Sequence, residues 1–335
     1  MRIAGCIIHM WRWGSLVLII LASTFGQSVA DKYVDDLAGE RVALSSSIAS
    51  LRAGLARSGD PALQALQRQV DFSISEDSIP NAWVVRDPAS GRSTVFMTAE
   101  FSLLVTYLAD TDVVSGTKPE FSKCNLAYGR AVFDALAANN VRAASGKAPF
   151  RVLAPEIYLS NAANDCRKYQ SLFPIDPALR ARRDANVRAI YLLMYLHELG
   201  HVARGHQGVS MDSVKNLPND EKRLNEVLRL LARSRAQETE ADDWATDRLI
   251  DLLPNPSESL NSLLPSFYVA FGGFNCIYAE GSTHPTGFIR FNRHVGRIKD
   301  RAVAAGQLRK DSELAGLIEE ARSLAARMQQ GLACK

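Results

Sequence analysis

Apolar side chains recur at helical spacing through most of the chain. They lie three and four positions apart over 31–58, and the same spacing returns over 61–70 after a Ser-Gly-Asp-Pro break. Because a helix presents every third or fourth residue on one face, this pattern predicts two helices. Further helices are predicted, in chain order, over 99–109, 122–140, 178–205, 220–250, 257–270, 286–304 and 309–331.

Two short runs favour strands instead. The stretches NAWVVRD (81–87) and STVFMTA (93–99) are rich in β-branched and aromatic residues, and Pro-Ala-Ser-Gly separates them. This predicts a β-hairpin. The stretch FRVLAPEIYLS (150–160) predicts one or two more strands around Pro155. The expected fold class is therefore α+β, mostly helical with a small antiparallel sheet.

The first thirty residues have the order of a secretory signal peptide. Arg2 and Arg12 precede the apolar run GSLVLIILASTF, and the small residues Ser28 and Ala30 follow it. This order predicts cleavage after Ala30, an exported protein that is periplasmic or secreted, and no membrane span in the mature chain. An uncleaved anchor is the alternative, although the run is short for a span of roughly 20 residues.

Charge and cysteine content narrow the function classes. A formal net charge of +3 provides no dominant basic field, which disfavours nucleic-acid binding. Four cysteines follow the predicted signal peptide, and an oxidising compartment would pair them. Proximity along the chain favours the pairs Cys124–Cys166 and Cys276–Cys334, and free buried thiols are the alternative.

Three histidines fall within the stretch YLLMYLHELGHVARGH, 191–206. His197 and His201 are four apart, so a helix places both rings on one face, where they could ligate one metal ion. Glu198 is offset by one position and could reach a water on that ion. This is the H-E-x-x-H pattern of zinc metalloproteases, in which the glutamate acts as general base. A helix with incidental histidines is the alternative, but burying both without a partner would be costly.

Candidates for a third ligand lie in AQETEADDWATDRL, 236–249. Glu238 and Asp242 are four apart on one helix face. Glu238 could complete a zinc site, and Asp242 could accept the second N–H of a ligating histidine. Glu240 points about 200° away from Glu238 and is the weaker candidate. The alternative is an acidic helix face that is simply solvated.

Four motifs together resemble the HtpX and CAAX-prenyl-protease type of zinc metallopeptidase. They occur in that family's order and are IPNAWVV at 79–85 followed by MTAEF, HELGH at 197–201, ETEAD at 238–242, and STHPTGFIR at 282–290. The resemblance covers roughly 79–105 and 186–294. It implies a zincin-like metallopeptidase domain with one zinc ion per chain.

The resemblance also implies roles for residues outside the zinc ligands. Asn81, Ala82 and Trp83 would begin the edge strand of a substrate cleft. His284 would face that cleft, either as a donor to the oxyanion or as a cover over the zinc, with helix capping as the alternative. Arg290 is a second candidate for binding the oxyanion or a substrate carboxylate.

The expected organisation has three parts, a signal peptide at 1–30, a helical segment at 31–78 and a metallopeptidase domain at 79–335. About ninety residues separate MTAEF from HELGH, which is more than the family usually has. An insertion is therefore expected over about 106–186. It contains Cys124 and Cys166.

These inferences together predict an exported zinc endopeptidase acting on polypeptides, with envelope proteins as expected substrates and partners. Glu198 would act as general base and then as proton donor to the leaving amine. His206 is interpreted as a helix-end residue, because five positions past His201 place it about 140° around the helix. Two alternatives are a chaperone-like zinc-binding module without turnover and an HELGH protease of a different, phage-exclusion-like family.

Overall fold

The computed structural model describes residues 7–162, 165–208, 214, 221–253, 255–266, 285, 287–308 and 312–331, and most side chains from Lys32 onward. Within these residues the fold is mostly helical with one small sheet, which confirms the α+β class. The helices are α1 (Ile7–Ala56), α2 (Pro61–Gln69), α3 (Ala99–Thr117), α4 (Ser122–Ala144), α5 (Pro155–Ser160), α6 (Pro177–Ala203), α7 (Glu221–Leu252), α8 (Pro256–Ser266), α9 (Gly287–Ala304) and α10 (Ser312–Gly331). The strands are β1 (Val70–Ser75), β2 (Ala82–Arg86) and β3 (Ser93–Thr98).

Helix starts coincide with capping residues that the sequence supplies. The Asp176 side chain accepts a hydrogen bond from the backbone N–H of Ala178, and Pro177 occupies the first turn of α6. Thr98 caps α3 in the same way by accepting from the N–H of Phe101. The helices predicted over 178–205 and 220–250 are confirmed as α6 and α7. Among the described helices, none combines the length and apolar character needed to cross a bilayer.

The sheet differs from the expected antiparallel one. Strands β2 and β3 form the predicted antiparallel hairpin, but β1 pairs with β3 in parallel, from Val70 opposite Ser93 to Ser75 opposite Thr98. The order is β1-β3-β2, so the sheet is mixed. The sequence analysis did not assign β1, although Val70, Phe72 and Ile74 alternate with polar residues as a strand requires.

The strands predicted around Pro155 are wrong. Pro155 opens the short helix α5, and residues 149–154 before it lie outside any strand. A proline at the first helical position loses no hydrogen bond, because that N–H has no partner within the helix. The apolar run that suggested a strand is thus the entry to a helix.

Helix α6 passes through the main hydrophobic core. Ile190, Leu193, Leu196 and Leu199 are buried at intervals of three residues, and the helix packs against α1, α3, α7 and α8. Burying each such side chain stabilises the fold by about 1.5–3 kcal/mol. The last turns of α6 are therefore a rigid platform for the polar side chains that they carry.

A second, smaller core lies within the predicted insertion. Cys124 on α4 and Cys166 are at disulfide distance, with their sulfur atoms 2.03 Å apart, as predicted. They pack with apolar residues from α3, the turn between α3 and α4, α5 and the segment before α6, namely Val113, Val114, Phe121, Leu159, Phe173 and Ile175. Cys276 and Cys334 lie outside the described residues.

Helices α7 and α9 are joined by a ladder of ion pairs. Arginines on α9 at every fourth position face aspartates spaced equally along α7, in the pairs Arg293–Asp243, Arg297–Asp247 and Arg301–Asp251. Each pair is partly exposed and contributes about 0–1 kcal/mol. Their matched spacing nevertheless fixes the register of α9 along α7.

Asp110 on α3 is an ionisable group largely removed from water. Burial raises its pKa to about 7, and the charges of Glu156 and Glu40 add to the effect. Arg183, whose Nη1 lies 3.4 Å from the Asp110 carboxylate, lowers the pKa but does not offset the burial. Arg183 also pairs with Asp184 at 2.6 Å, so its charge is divided between two acids.

Because the pKa of Asp110 is higher in the folded chain than in the unfolded chain, protonated Asp110 stabilises the fold at low pH. That contribution is lost as the pH rises from about 4 to about 7. We expect Asp110→Asn to stabilise the protein relative to wild type by roughly 2 kcal/mol more at pH 8 than at pH 5. Urea unfolding at both pH values measures this. Exposed Asp134→Asn is the control, and an equal effect of Asp110→Asn at both pH values would contradict the assignment.

Candidate metal centre

Two helices supply the residues of the candidate metal centre. Helix α6 carries His197, Glu198 and His201, and helix α7 carries Glu238 and Asp242. On each helix the paired residues are four positions apart, so they project from the same face. His201 is partly exposed and the other four residues are buried, so the helix–helix contact encloses the site.

The two helices approach each other very closely beside these residues, at Gly200. A Cβ atom built on Gly200 would lie 2.8 Å from the carbonyl oxygen of Ala241 and 3.0 Å from its Cα. Real side chains do not tolerate such contacts with backbone, so only glycine fits at this position. Gly200 therefore sets the distance between the histidines of α6 and the acids of α7.

Three side chains converge on one buried space. The Nε2 atoms of His197 and His201 are 3.2 Å apart, and the Glu238 carboxylate oxygens lie 3.1 Å from the first and 3.5 Å from the second. A tetrahedral ion with ligand bonds of about 2.0–2.1 Å separates its ligand atoms by roughly 3.3 Å. These donor atoms therefore have the spacing that a single bound metal ion requires, and the predicted group could hold one.

The outer nitrogen of His197 is held by a carboxylate. Its Nδ1 lies 2.8 Å from Asp242 Oδ1, and Asp242 accepts two hydrogen bonds of 2.7 Å from Arg290. Since an ionised carboxylate only accepts hydrogen bonds, His197 Nδ1 carries the hydrogen. This leaves Nε2 as the atom that can bind metal, and it points at Glu238. Asp242 thus occupies the position that the sequence analysis expected.

Burial and charge set the protonation of the site. Burial raises the pKa of Glu198 to about 7. It lowers the pKa of His201 to about 3, with the charge of neighbouring His197 acting in the same direction. At His197 burial also lowers the pKa, but the hydrogen bond and charge of Asp242 outweigh it and raise the value to about 10. A metal ion would therefore compete with a proton for His197.

Arg290 has a buried position against Asp242. It was predicted to bind an oxyanion or a substrate carboxylate, but its guanidinium is buried and holds Asp242 by the two hydrogen bonds described above. Its Nη2 also lies 4.0 Å from Glu238. A buried aspartate needs a counter-charge, and Arg290 is the cation that supplies it. His284 lies outside the described residues.

An open cleft of about 670 Å³ lies beside the site. One wall is β2, through Val84, Val85 and Arg86, and the other includes the end of α6 and His206. These strand residues directly follow Asn81, Ala82 and Trp83 in sequence, the three residues predicted to bind substrate. The backbone N–H of Asn81 donates a hydrogen bond to Oγ1 of Thr98. Trp83 stacks on Phe96 with ring centroids 5.3 Å apart.

The sequence analysis missed two contributors to this site. Gly200 was only part of the HELGH motif, and its contact with Ala241 depends on a helix 41 residues further along the chain. His206 was interpreted as a helix-end residue, yet its Nδ1 lies 3.0 Å from Nδ1 of His201. Gly205, directly before His206, is a typical residue at a helix end, and it could have indicated that the chain reverses direction there.

Comparisons of the chain with protein-family models, with curated proteins and with solved structures found no match. The geometry of the site and the motifs of the sequence are therefore the basis for proposing a function.

Replacing Gly200 with alanine should disrupt the metal centre without removing any ligand. The added methyl group would meet the Ala241 backbone, which cannot rotate away, and relief requires the helices to separate. We expect a loss of about 1–3 kcal/mol of stability and clearly weaker metal binding. Unfolding and metal titration measure the two effects. Gly296→Ala, where nothing lies near the added atom, is the matched control, and unchanged metal binding in Gly200→Ala would contradict this role.

Removing the Glu238 carboxylate should sharply weaken metal binding, because it leaves only two protein ligands where a catalytic zinc site uses three. We expect Glu238→Gln to lose metal that the wild type keeps through gel filtration, measured by elemental analysis. Glu226→Gln, on the same helix but only partly buried and paired with Arg229, is the control. Full metal content in Glu238→Gln would place the third ligand elsewhere.

Proposed function

We propose that this chain is an exported zinc-dependent endopeptidase that cleaves polypeptides in the cell envelope. The observation that carries the proposal is the convergence of two histidine Nε2 atoms and one glutamate carboxylate at distances of 3.1–3.5 Å. The resemblance of four motifs to the HtpX and CAAX-prenyl-protease type of metallopeptidase supports it.

The donor set favours zinc in a catalytic rather than a structural role. Structural zinc sites are closed by four protein ligands and are rich in cysteine, whereas catalytic sites use three protein ligands and keep one position open. Two histidines with one glutamate make up a typical catalytic set. When bound, zinc would polarise the scissile carbonyl and make water a stronger nucleophile near neutral pH.

Glu198 has the properties of the proton-transfer group. It follows His197 on α6 and lies outside the three-residue donor group, so its carboxylate is available for chemistry. Burial raises its pKa to about 7, which suits a group that first takes a proton and then donates it. A site that only stored or bound metal would have no need of this residue.

The cleft beside the site supports a polypeptide substrate. Within the described residues β2 pairs only with β3, so its other edge can hydrogen-bond an extended chain. Val84 and Val85 line the cleft with apolar surface, and Arg86 adds a positive charge to the lining. Recognition through backbone hydrogen bonds requires an extended substrate, which favours unfolded or misfolded proteins. The predicted signal peptide would deliver the enzyme to the envelope.

Exchanging Glu198 for glutamine separates a peptidase from a zinc-binding module without turnover. Glutamine keeps the shape but cannot take a proton, so we expect normal zinc content and a cleavage rate lower by roughly two to four orders of magnitude. Cleavage of a labelled unfolded protein measures the rate. Glu226→Gln should match the wild type. A Glu198→Gln variant as active as the wild type would refute the assigned base, and a zinc-loaded wild type that cleaves nothing would favour the chaperone-like alternative.

A further inference from the structure

His206 makes contacts at both of its ring nitrogens. Its Nδ1 lies 3.0 Å from His201 Nδ1, and its Nε2 lies 3.1 Å from an oxygen of Glu240. The ring is almost enclosed, with 7% of its side chain exposed, whereas the Glu240 side chain is 61% exposed. The three residues therefore form a chain of contacts from the candidate metal ligand His201 to the protein surface.

The backbone turn at the end of α6 brings His206 to this position. Gly205 adopts a φ of 65°, a left-handed conformation that glycine reaches without strain. The N–H of Gly205 bonds to the carbonyl of Val202, and the N–H of His206 bonds to the carbonyl of His201 at 2.9 Å. This pair of bonds is a Schellman motif, which reverses the chain direction. It folds the His206 ring back against His201.

The hydrogen positions in this series of contacts follow from Glu240 at its outer end. The carboxylate of Glu240 only accepts hydrogen bonds, so His206 Nε2 carries a hydrogen, and Nδ1 is the His206 nitrogen that can accept one. The Nδ1 of His201 must then donate to it. This leaves the Nε2 of His201 without hydrogen, facing His197 and Glu238, which is the form that can bind metal.

We propose that His206 and Glu240 are positioning residues that hold His201 in its metal-binding tautomer and orientation. This inference rests on the metal site of the proposed function. The pair does for His201 what Asp242 and Arg290 do for His197, but its outer member is exposed rather than buried. His206 is not itself a ligand, because Nδ1 contacts His201, Nε2 contacts Glu240, and His206 lies outside the three-residue donor group.

Zinc competition with a chromophoric chelator tests this proposal on the purified full chain. His206→Leu fills similar space but cannot accept a hydrogen bond, and His206→Gln restores an acceptor. We expect His206→Leu to weaken zinc binding roughly 10–100-fold. His206→Gln should recover most of that loss, and Glu240→Gln should lose less than His206→Leu. Arg204→Gln, which changes an exposed neighbour, should bind as the wild type does.

Two results would overturn the inference. Either His206→Leu binds zinc as tightly as the wild type, or the Leu and Gln variants lose affinity equally, which is what a merely structural role predicts. The tautomer of His201 in the metal-free protein, measured by ¹⁵N NMR of labelled histidines, decides the matter independently of zinc. We expect the hydrogen on Nδ1 in the wild type and a shift towards Nε2 in His206→Leu. An unchanged tautomer also refutes the proposal, whereas a wild type that binds no zinc refutes the metal site instead.

Discussion

The candidate metal centre depends on how closely helix α6 can approach helix α7. The ligands belong to different helices, so their distances are set by helix packing and not by local sequence. Gly200 allows the backbone of α6 to contact Ala241, and this contact brings Glu238 within 3.1–3.5 Å of both histidine Nε2 atoms. A larger residue would separate the helices and open all these distances together. Gly200 of the HELGH motif therefore determines helix packing, in addition to keeping the two histidines four positions apart.

A buried charge makes a third helix part of the same site. Asp242 is fully enclosed and would be costly to bury as an anion without a cation beside it. Arg290 on α9 supplies that cation through two hydrogen bonds. The ladder of arginine–aspartate pairs along α7 and α9 keeps Arg290 level with Asp242. Each of these partly exposed pairs contributes little stability by itself. The surface pairs thus fix the register of α9 along α7 that the buried Arg290–Asp242 pair requires.

The two histidines of the candidate metal centre have different surroundings. The Asp242 side of His197 is buried among three helices, whereas His201 contacts His206, which lines the open cleft. One half of the site is therefore enclosed, and the other half adjoins the space beside β2 that an extended chain could fill. In the proposed peptidase, the enclosed half would hold the metal ion and the open half would admit the substrate.

The sequence by itself determined the features that depend on local periodicity. Helical spacing predicted α6 and α7 and the pairs His197–His201 and Glu238–Asp242. Two β-branched and aromatic runs around a turn predicted the hairpin, and proximity along the chain predicted the pairing of Cys124 with Cys166. The parallel pairing of β1, the helix at Pro155, the partner of Arg290 and the contact between His206 and His201 were decided by the tertiary structure. Each of these depends on which distant segment, or which turn of the backbone, occupies the neighbouring space. Residue spacing reports which side chains share a face, but it carries no information on what that face will meet.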